Sequence, residues 1–316
     1  MSPRPAFSVV VPAFDAEDRI AATIGSVLEQ TDRDFELIVV DDGSADATLT
    51  LAREAAAADS RITVLTQPNA GTVAARTLGV ESSSGRWLAF LDDDDLWLPG
   101  FLAAARGRFE SDPALGIVAA DAWVLDTVSG RVGARTAAAR FAWPLRRLPA
   151  AIGADAAEAA LLRVNFLTTC ATAVTSEAYG RAGGLDAAVR GTDDWDLWLR
   201  IVADGYALGR LPEPLAVLRK RPTSAGSDAA MMARNALLVL ERARRRGTRT
   251  RHADRIAARH ARLIELELRS MERAGGRGPL LRLSGAARRI GRKRLPAIGA
   301  GPEPQLPQAA VRLLAR

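Results

Sequence analysis

Phe35-Glu36-Leu37-Ile38-Val39-Val40-Asp41-Asp42-Gly43-Ser44 is an apolar, β-branched run that breaks at once into two carboxylates, a glycine and a serine. Phe35–Val40 reads as a buried strand of a parallel sheet, because strands covered on both faces are almost continuously apolar rather than alternating. The same unit recurs on either side. Phe7–Val11 is another such strand, and Glu17–Gln30 carries Ile20, Ile24, Val27 and Leu28 at helical spacing. Asp46 opens a helix, Ile62–Leu65 is a third strand, Gly71–Val80 a helix and Trp87–Leu91 a fourth strand. Strand and helix alternating at this cadence make right-handed βαβ units. In such sheets ligands sit outside the carboxyl ends of the strands. Pro12–Asp15, Asp41–Ser44 and Asp92–Asp95 each follow the last apolar residue of a strand, so all three are expected at one sheet edge.

Beyond Pro99 the pattern loosens. Leu102–Phe109 reads as a helix, Gly116–Ala120 as a strand, and Ala122–Val132 as extended chain with a Ser129-Gly130 turn. Ala137–Ala154 reads as loop and Asp194–Ala203 as a helix. Leu208–Leu218, with two prolines, reads as loop and edge strand. Residues 229–274 form one or two long helices, broken by Gly275-Gly276, and Gly299–Gln308 is a Pro/Gly linker.

The net charge of +6 conceals an asymmetry. Residues 231–316 hold 21 basic and 6 acidic side chains, leaving 22 and 31 for residues 1–230. An acidic body (1–228) and a basic helical extension (229–316) are the expected divisions. The extension lacks interleaved aromatics and any recognised motif, so nucleic-acid binding is not expected. One cysteine, Cys170, excludes an internal disulfide framework, fits a reducing compartment and reads as a buried small residue. The chain has no secretory signal pattern and no apolar run long enough to span a bilayer. A cytoplasmic protein, soluble or peripherally attached, is the expectation.

Four adjacent carboxylates, Asp92 to Asp95, repel one another in any compact loop unless a cation neutralises them. Oxygen-only ligands suit Mg²⁺ or Mn²⁺. On an extended segment Asp92 and Asp94 point one way and Asp93 the other. A solvated acidic turn is the competing reading. Asp41 ends a buried strand and is able to accept from a base or sugar donor, while Asp42 or Ser44 is able to cap the next helix. Arg76 either pairs with neighbouring acids or a diphosphate, or is a surface arginine. In Gly191-Thr192-Asp193-Asp194-Trp195-Asp196-Leu197-Trp198, Thr192 or Asp193 is placed to cap a helix. Trp195 and Trp198 are placed to pack, and Asp194 is an acid at a helix mouth, suited to a general base. His252 and His260 are the only histidines, so Ser-His-Asp, Cys-His and zinc chemistry find no support, and there is no phosphate-binding glycine loop.

Together these segments resemble the family 2 glycosyltransferases of the GT-A fold. The resemblance runs over residues 6–224 through five stretches: Ser8 to Glu17, Phe35 to Asp46, Asn69 to Gly79, Trp87 to Asp95, and Gly183-Gly184-Leu185-Asp186 followed by Asp193 to Trp198. It implies a Rossmann-like, mostly parallel sheet flanked by helices. It also implies an inverting transfer from a nucleotide-sugar, UDP-linked, to a hydroxyl of a glycan or lipid-linked acceptor. Pro12, Phe14, Glu17, Asp41, Arg76 and Asp93 would contact the nucleotide, Asp92 and Asp94 would hold Mg²⁺ or Mn²⁺, and Asp194 would be the base. Departures from the family pattern are Phe14 for Tyr, Asp15 for Asn, Thr77 for Asn, Asp193 for Glu, and Arg221 where a His is frequent. The other reading is a catalytically degenerate module that binds a nucleotide-sugar or docks a partner. Residues 134–168 would form the acceptor loops. Leu280, Leu283, Ala287 and Ile290, set among arginines, would lie on an anionic membrane at its cytoplasmic face.

Overall fold

The computed structural model describes residues 4–129, 132–133, 149–221, 229–273 and 308. Four strands build its first half: β1 (Phe7–Ala13), β2 (Phe35–Asp41), β3 (Ile62–Thr66) and β4 (Trp87–Phe90). They lie in the order β3-β2-β1-β4, all parallel. Helices α1 (Ile20–Leu28), α2 (Thr48–Ala58) and α3 (Thr72–Glu81) make the crossovers. Side chains alternate across a strand. Val9 and Val11 accordingly pack with Ile20, Ile24 and Val27 of α1, while Val10 belongs to the core on the opposite face. There α3 sits close to the sheet because Gly79 has no side chain: a Cβ at that position would lie 2.4 Å from Val10 Cγ1.

The second half reverses direction. β9 (Thr172–Thr175) runs antiparallel to β4 on one side and to β6 (Leu115–Asp126) on the other. β10 (Ala207–Lys220) is parallel to β6, and β5 (Leu96–Trp97) closes the order β3-β2-β1-β4-β9-β6-β10-β5. The short strands β7 (Val132–Gly133) and β8 (Ala151–Ile152) pair with β6 and β10. Two expectations are corrected here. Leu208–Leu218 is neither loop nor edge, since β10 is flanked by β6 and β5. Its prolines are accommodated where the register shifts, between Arg210 and Pro214 and again between Pro214 and Ala216. The end of the expected 137–154 loop is also ordered as β8 and the start of α5 (Ala154–Leu161). Helices α4 (Phe101–Ser111), α6 (Ser176–Arg181) and α7 (Asp193–Ala203) complete the body.

Helices α8 (Ala229–Arg246) and α9 (Arg251–Arg273) form a hairpin turned at Gly247, whose φ of +90° favours glycine. The hairpin packs on α5 and α7. Ala233, Leu240, Ala257 and Ile264 share one apolar core with Leu161, Trp195 and Trp198. Basic side chains of the extension meet acids of the body: Arg242 pairs with Asp186 at 2.7 Å and Arg249 with Asp155 at 2.6 Å. Among the described residues no helix is long and apolar enough to cross a membrane. The leucine and arginine stretch 279–295, the linker 299–307 and residues 134–148 of the expected acceptor loops lie outside the described residues.

Candidate active site

The loops after β1, β2 and β4 meet at one sheet edge. The Phe14 amide donates to Asp93 Oδ2 at 3.0 Å, the Asp15 amide to Ser44 Oγ at 3.1 Å, and the Ala45 amide to Asp15 Oδ1 at 2.9 Å. Asp15 adopts φ +42°, a left-handed conformation that aspartate tolerates better than most residues. Ser44 and Asp42 therefore do not cap α2. Asp42 instead accepts from Gln67 Nε2 at 2.7 Å and from the Ala70 and Gly71 amides at 2.8 Å, fixing the entry to α3. Glu17 Oε2 accepts from the Ala47 amide at 3.0 Å, tying the first loop to the second. Pro12 is buried within β1 opposite Val40.

Asp41 is 3% exposed. Its Oδ2 takes only a long bond of 3.4 Å from the Ser44 amide, and its Oδ1 is buried with no hydrogen-bond partner. A buried acceptor left unmade costs about 1–3 kcal/mol, so this oxygen is poised for a donor brought by a ligand. The Phe14 ring, on the neighbouring loop, is 42% exposed.

The acidic quartet is a turn, not an extended segment: the Asp95 amide donates to the Asp92 carbonyl at 3.0 Å. The turn gathers three carboxylates where alternation predicts two. Oxygens of Asp92, Asp94 and Asp95 lie within 4.8 Å of one another. Asp93 points away and accepts from Arg19 Nε at 3.3 Å and Nη2 at 3.2 Å. Arg219, at the end of β10, braces the turn through its guanidinium to the Asp94 carbonyl and its amide to Asp95 Oδ1 at 2.9 Å. Burial, and then the charges of Asp92 and Asp93, push the Asp94 carboxyl up to about 6. Burial and then Asp94 push Asp95 well above the carboxylate range. Cys170 is buried as expected, and burial, then the Asp95 charge, raise its thiol. Clustered carboxylate oxygens whose ionisation is opposed by one another are a donor set that fits a hard divalent cation.

Arg76 is not a surface arginine. Only 6% exposed, it pairs with Asp92 on one side and with Asp193 Oδ2 at 3.3 Å on the other. Burial opposes its charge, but these acids outweigh burial and hold the guanidinium raised. Arg76 thereby bridges the acidic turn to the first residues of α7. Asp194, the next residue, is partly buried. Its carboxylate accepts from the Trp195 amide at 2.6 Å, from Thr169 Oγ1 at 3.1 Å and from Asn165 Nδ2 at 3.3 Å. Burial first, and then the Asp193 charge, push Asp194 up to about 6. A carboxylate near that value is a far better proton acceptor at neutral pH than an ordinary one. The expected side-chain cap of α7 is not made: Thr192 Oγ1 donates to the Val189 carbonyl and Asp193 accepts from the Gly191 amide. Trp195 and Trp198 pack as expected, the former donating to the Leu161 carbonyl at 2.9 Å.

Known proteins match the first half of this arrangement in sequence and the whole of it in fold. Residues 8–142 match the model of Glycosyl transferase family 2. The UDP-Glc:alpha-D-GlcNAc-diphosphoundecaprenol beta-1,3-glucosyltransferase WfgD of Escherichia coli is 45% identical over 92 residues, 29% of this chain and 36% of that protein. The putative teichuronic acid biosynthesis glycosyltransferase TuaG of Bacillus subtilis (strain 168) is 40% identical over 95 residues, 30% of this chain and 38% of that protein. The chain thus spans little more than a third of the length of these relatives. Among solved structures, the mannosyltransferase PcManGT from Pyrobaculum calidifontis, in complex with GDP-Man and Mn²⁺, superposes with a TM-score of 0.63 at 21% identity, covering 99% of this chain and 80% of that one. S. aureus TarS 1-349 in complex with UDP-GlcNAc gives 0.62 at 17% identity, covering 83% and 71%.

Proposed function

From the premise that residues 8–142 place this chain among the family 2 glycosyltransferases, on a GT-A fold, we propose that it is an inverting transferase moving a sugar from a nucleotide-sugar to a hydroxyl acceptor. The observation that carries the proposal is the Arg76 bridge. It brings an acidic turn fit for a cation and a carboxylate with a raised proton affinity into one site.

In this reading the base of the nucleotide lies against Phe14, and its imide N–H satisfies the unpartnered Oδ1 of Asp41, which favours uracil. Pro12 and Glu17 shape that pocket, and Asp93 fixes its wall through the Phe14 amide and Arg19. Asp92 and Asp94, with Asp95, would hold Mg²⁺ or Mn²⁺. When bound there, the ion supplies positive charge against the negative charge gathering on the leaving diphosphate. Asp194, oriented by Asn165 and Thr169, takes the proton of the acceptor hydroxyl as that oxygen attacks the anomeric carbon. Attack from the face opposite the diphosphate inverts configuration. Arg76 acts by position, holding Asp92 and Asp193 in register.

The nucleotide-sugars named with PcManGT and TarS support a nucleotide-sugar donor, and the Mn²⁺ named with PcManGT supports the metal. The diphosphoundecaprenol in the name of WfgD supports a lipid-linked acceptor. Residues 1–228 would be the catalytic unit and 229–316 its extension, of which helices α8 and α9 pack on α5 and α7. The test is a panel of nucleotide-sugars screened for Mn²⁺-dependent thermal stabilisation, followed by transfer assays with the anomeric configuration read by NMR. UDP-sugar stabilisation and an inverted product are expected. Retained configuration sinks the mechanism, and binding without turnover on any acceptor leaves a degenerate binding module instead.

A further inference from the structure

α5 ends at Leu161, and the chain crosses to Asn165 through Leu162, Arg163 and Val164. On this crossing Arg163 faces α9 over a cleft of about 300 Å³, lined by Arg163, His252, Arg255, Ile256 and Arg259. His252, Arg255 and Arg259 stand at i, i+3 and i+7 and so share one face of α9. Arg163 Nη2 meets His252 Nε2 at 3.2 Å, and because a guanidinium only donates, the ring nitrogen accepts. The lining holds three guanidinium groups and no carboxylate.

Several arginines of the helical hairpin, Arg242, Arg244, Arg245, Arg249 and Arg269, pair with carboxylates. Among the described residues, Arg255 and Arg259 make no ion pair. Concentrating like charge around a concavity opposes the compact state unless an anion enters, and the planar fork of arginine matches phosphate oxygens. The position of the cleft is also specific. The Leu162 carbonyl accepts from His260 Nδ1 of α9 at 2.9 Å, and Asn165 bonds Asp194. The wall of the cleft and the residue that orients Asp194 therefore belong to one short stretch. Arg163 and Asn165 are two residues apart, at most about 7 Å of chain.

We infer that this cleft is an anion subsite that takes a phosphate or diphosphate ester carried by the acceptor. The inference rests on the transferase reading for the word acceptor, but not for the binding itself. The donor diphosphate has its own place at the acidic turn, so the two phosphate sites are separable by metal. In the test, inorganic pyrophosphate is titrated calorimetrically, with EDTA present, into the wild-type chain and an R255Q/R259Q variant. UDP with Mn²⁺ is titrated into both in parallel. Both arginines are exposed, and equal melting temperatures check that the variant is folded. Loss of their charge-assisted bonds should weaken pyrophosphate by about tenfold or more while UDP binding stays unchanged. Equal pyrophosphate affinity in the two proteins, or no binding to wild type, overturns the subsite. Failure of UDP to bind wild type while pyrophosphate binding depends on the arginines sinks the donor reading and leaves the cleft standing. Sedimentation with phosphatidylglycerol vesicles separates the sources of phosphate. Arginine-dependent vesicle binding without pyrophosphate binding makes the cleft a membrane contact and overturns the proposal.

Discussion

Asp194→Asn removes a charge, keeps the shape, and has two consequences of opposite sign. A carboxyl moved from 3.8 to about 6 carries a penalty of about 3 kcal/mol on its ionised form at neutral pH. Solvent reaching this partly buried group trims the figure to about 2 kcal/mol. The folded-state value lies above the unfolded one. Between pH 4 and 6 the folded chain therefore keeps a proton that the unfolded chain has lost. Wild-type stability falls as pH rises through that window and is level above it. The amide has no such dependence, so the variant should gain about 2 kcal/mol on wild type between pH 4 and pH 7. Part of this is lost to the hydrogen bonds, because Asn165, Thr169 and the Trp195 amide all donate to the carboxylate and an amide accepts on one side only. Catalysis should move the other way, with kcat down by about 10²–10⁴ and donor binding intact. Urea unfolding at pH 4 and 7 measures the first, and transfer kinetics with UDP titration the second. A more stable variant with near-normal kcat would refute the base assignment. Loss of UDP binding together with activity makes Asp194 structural.

Three further outcomes are expected. Asp94→Ala should abolish Mn²⁺-dependent nucleotide-sugar binding; because Asp94 is held up to about 6 by burial and by Asp92 and Asp93, wild-type Mn²⁺ affinity should rise with pH through that value, and turnover that persists in chelator contradicts both. Gly79→Ala should lower the melting temperature by several degrees, since a clash with the stiff Val10 side chain costs about 1–3 kcal/mol and outweighs a helix-propensity gain of up to about 1 kcal/mol; an unchanged melting curve would mean that α3 shifts freely on the sheet. A chain ending at residue 228 should aggregate or melt far lower, because it loses the α8–α9 side chains that pack with Trp195 and Trp198, and wild-type stability of that fragment would make the extension an independent appendage.

The parallel half of the fold is readable because its strands are almost continuously apolar runs that stop at polar clusters. β9 is only four residues, Thr172-Ala173-Val174-Thr175, and its place between β4 and β6 depends on partners far along the chain. β10 misleads because its prolines weigh against an interior strand, and nothing local announces the register shifts that admit them. In the site, the alternation rule assigns Asp92 and Asp94 to one side but misses Asp95, which a turn bond brings in. Arg76 carries no local sign of its role, since one of its partners is 16 residues away and the other 117. Arg19, Arg219, Asn165 and Thr169 escape for the same reason. Each is an ordinary polar residue until the fold sets it against an acid.

The reversal of strand direction at β9 marks a seam through the sheet. On one side stand the parallel strands that carry Phe14, Asp41 and the acidic turn. Beyond it, and past the end of the stretch that matches the family, stand Asn165, Thr169 and Asp194. In the proposed reading the seam separates recognition of what is given from recognition of what receives it. A lineage is then free to keep the donor half while replacing the remainder, so that new linkages arise by grafting rather than by reworking the nucleotide pocket. The contacts that any such graft must preserve include the β4–β9 pairing, the Arg219 brace and the salt link from Arg76 to Asp193.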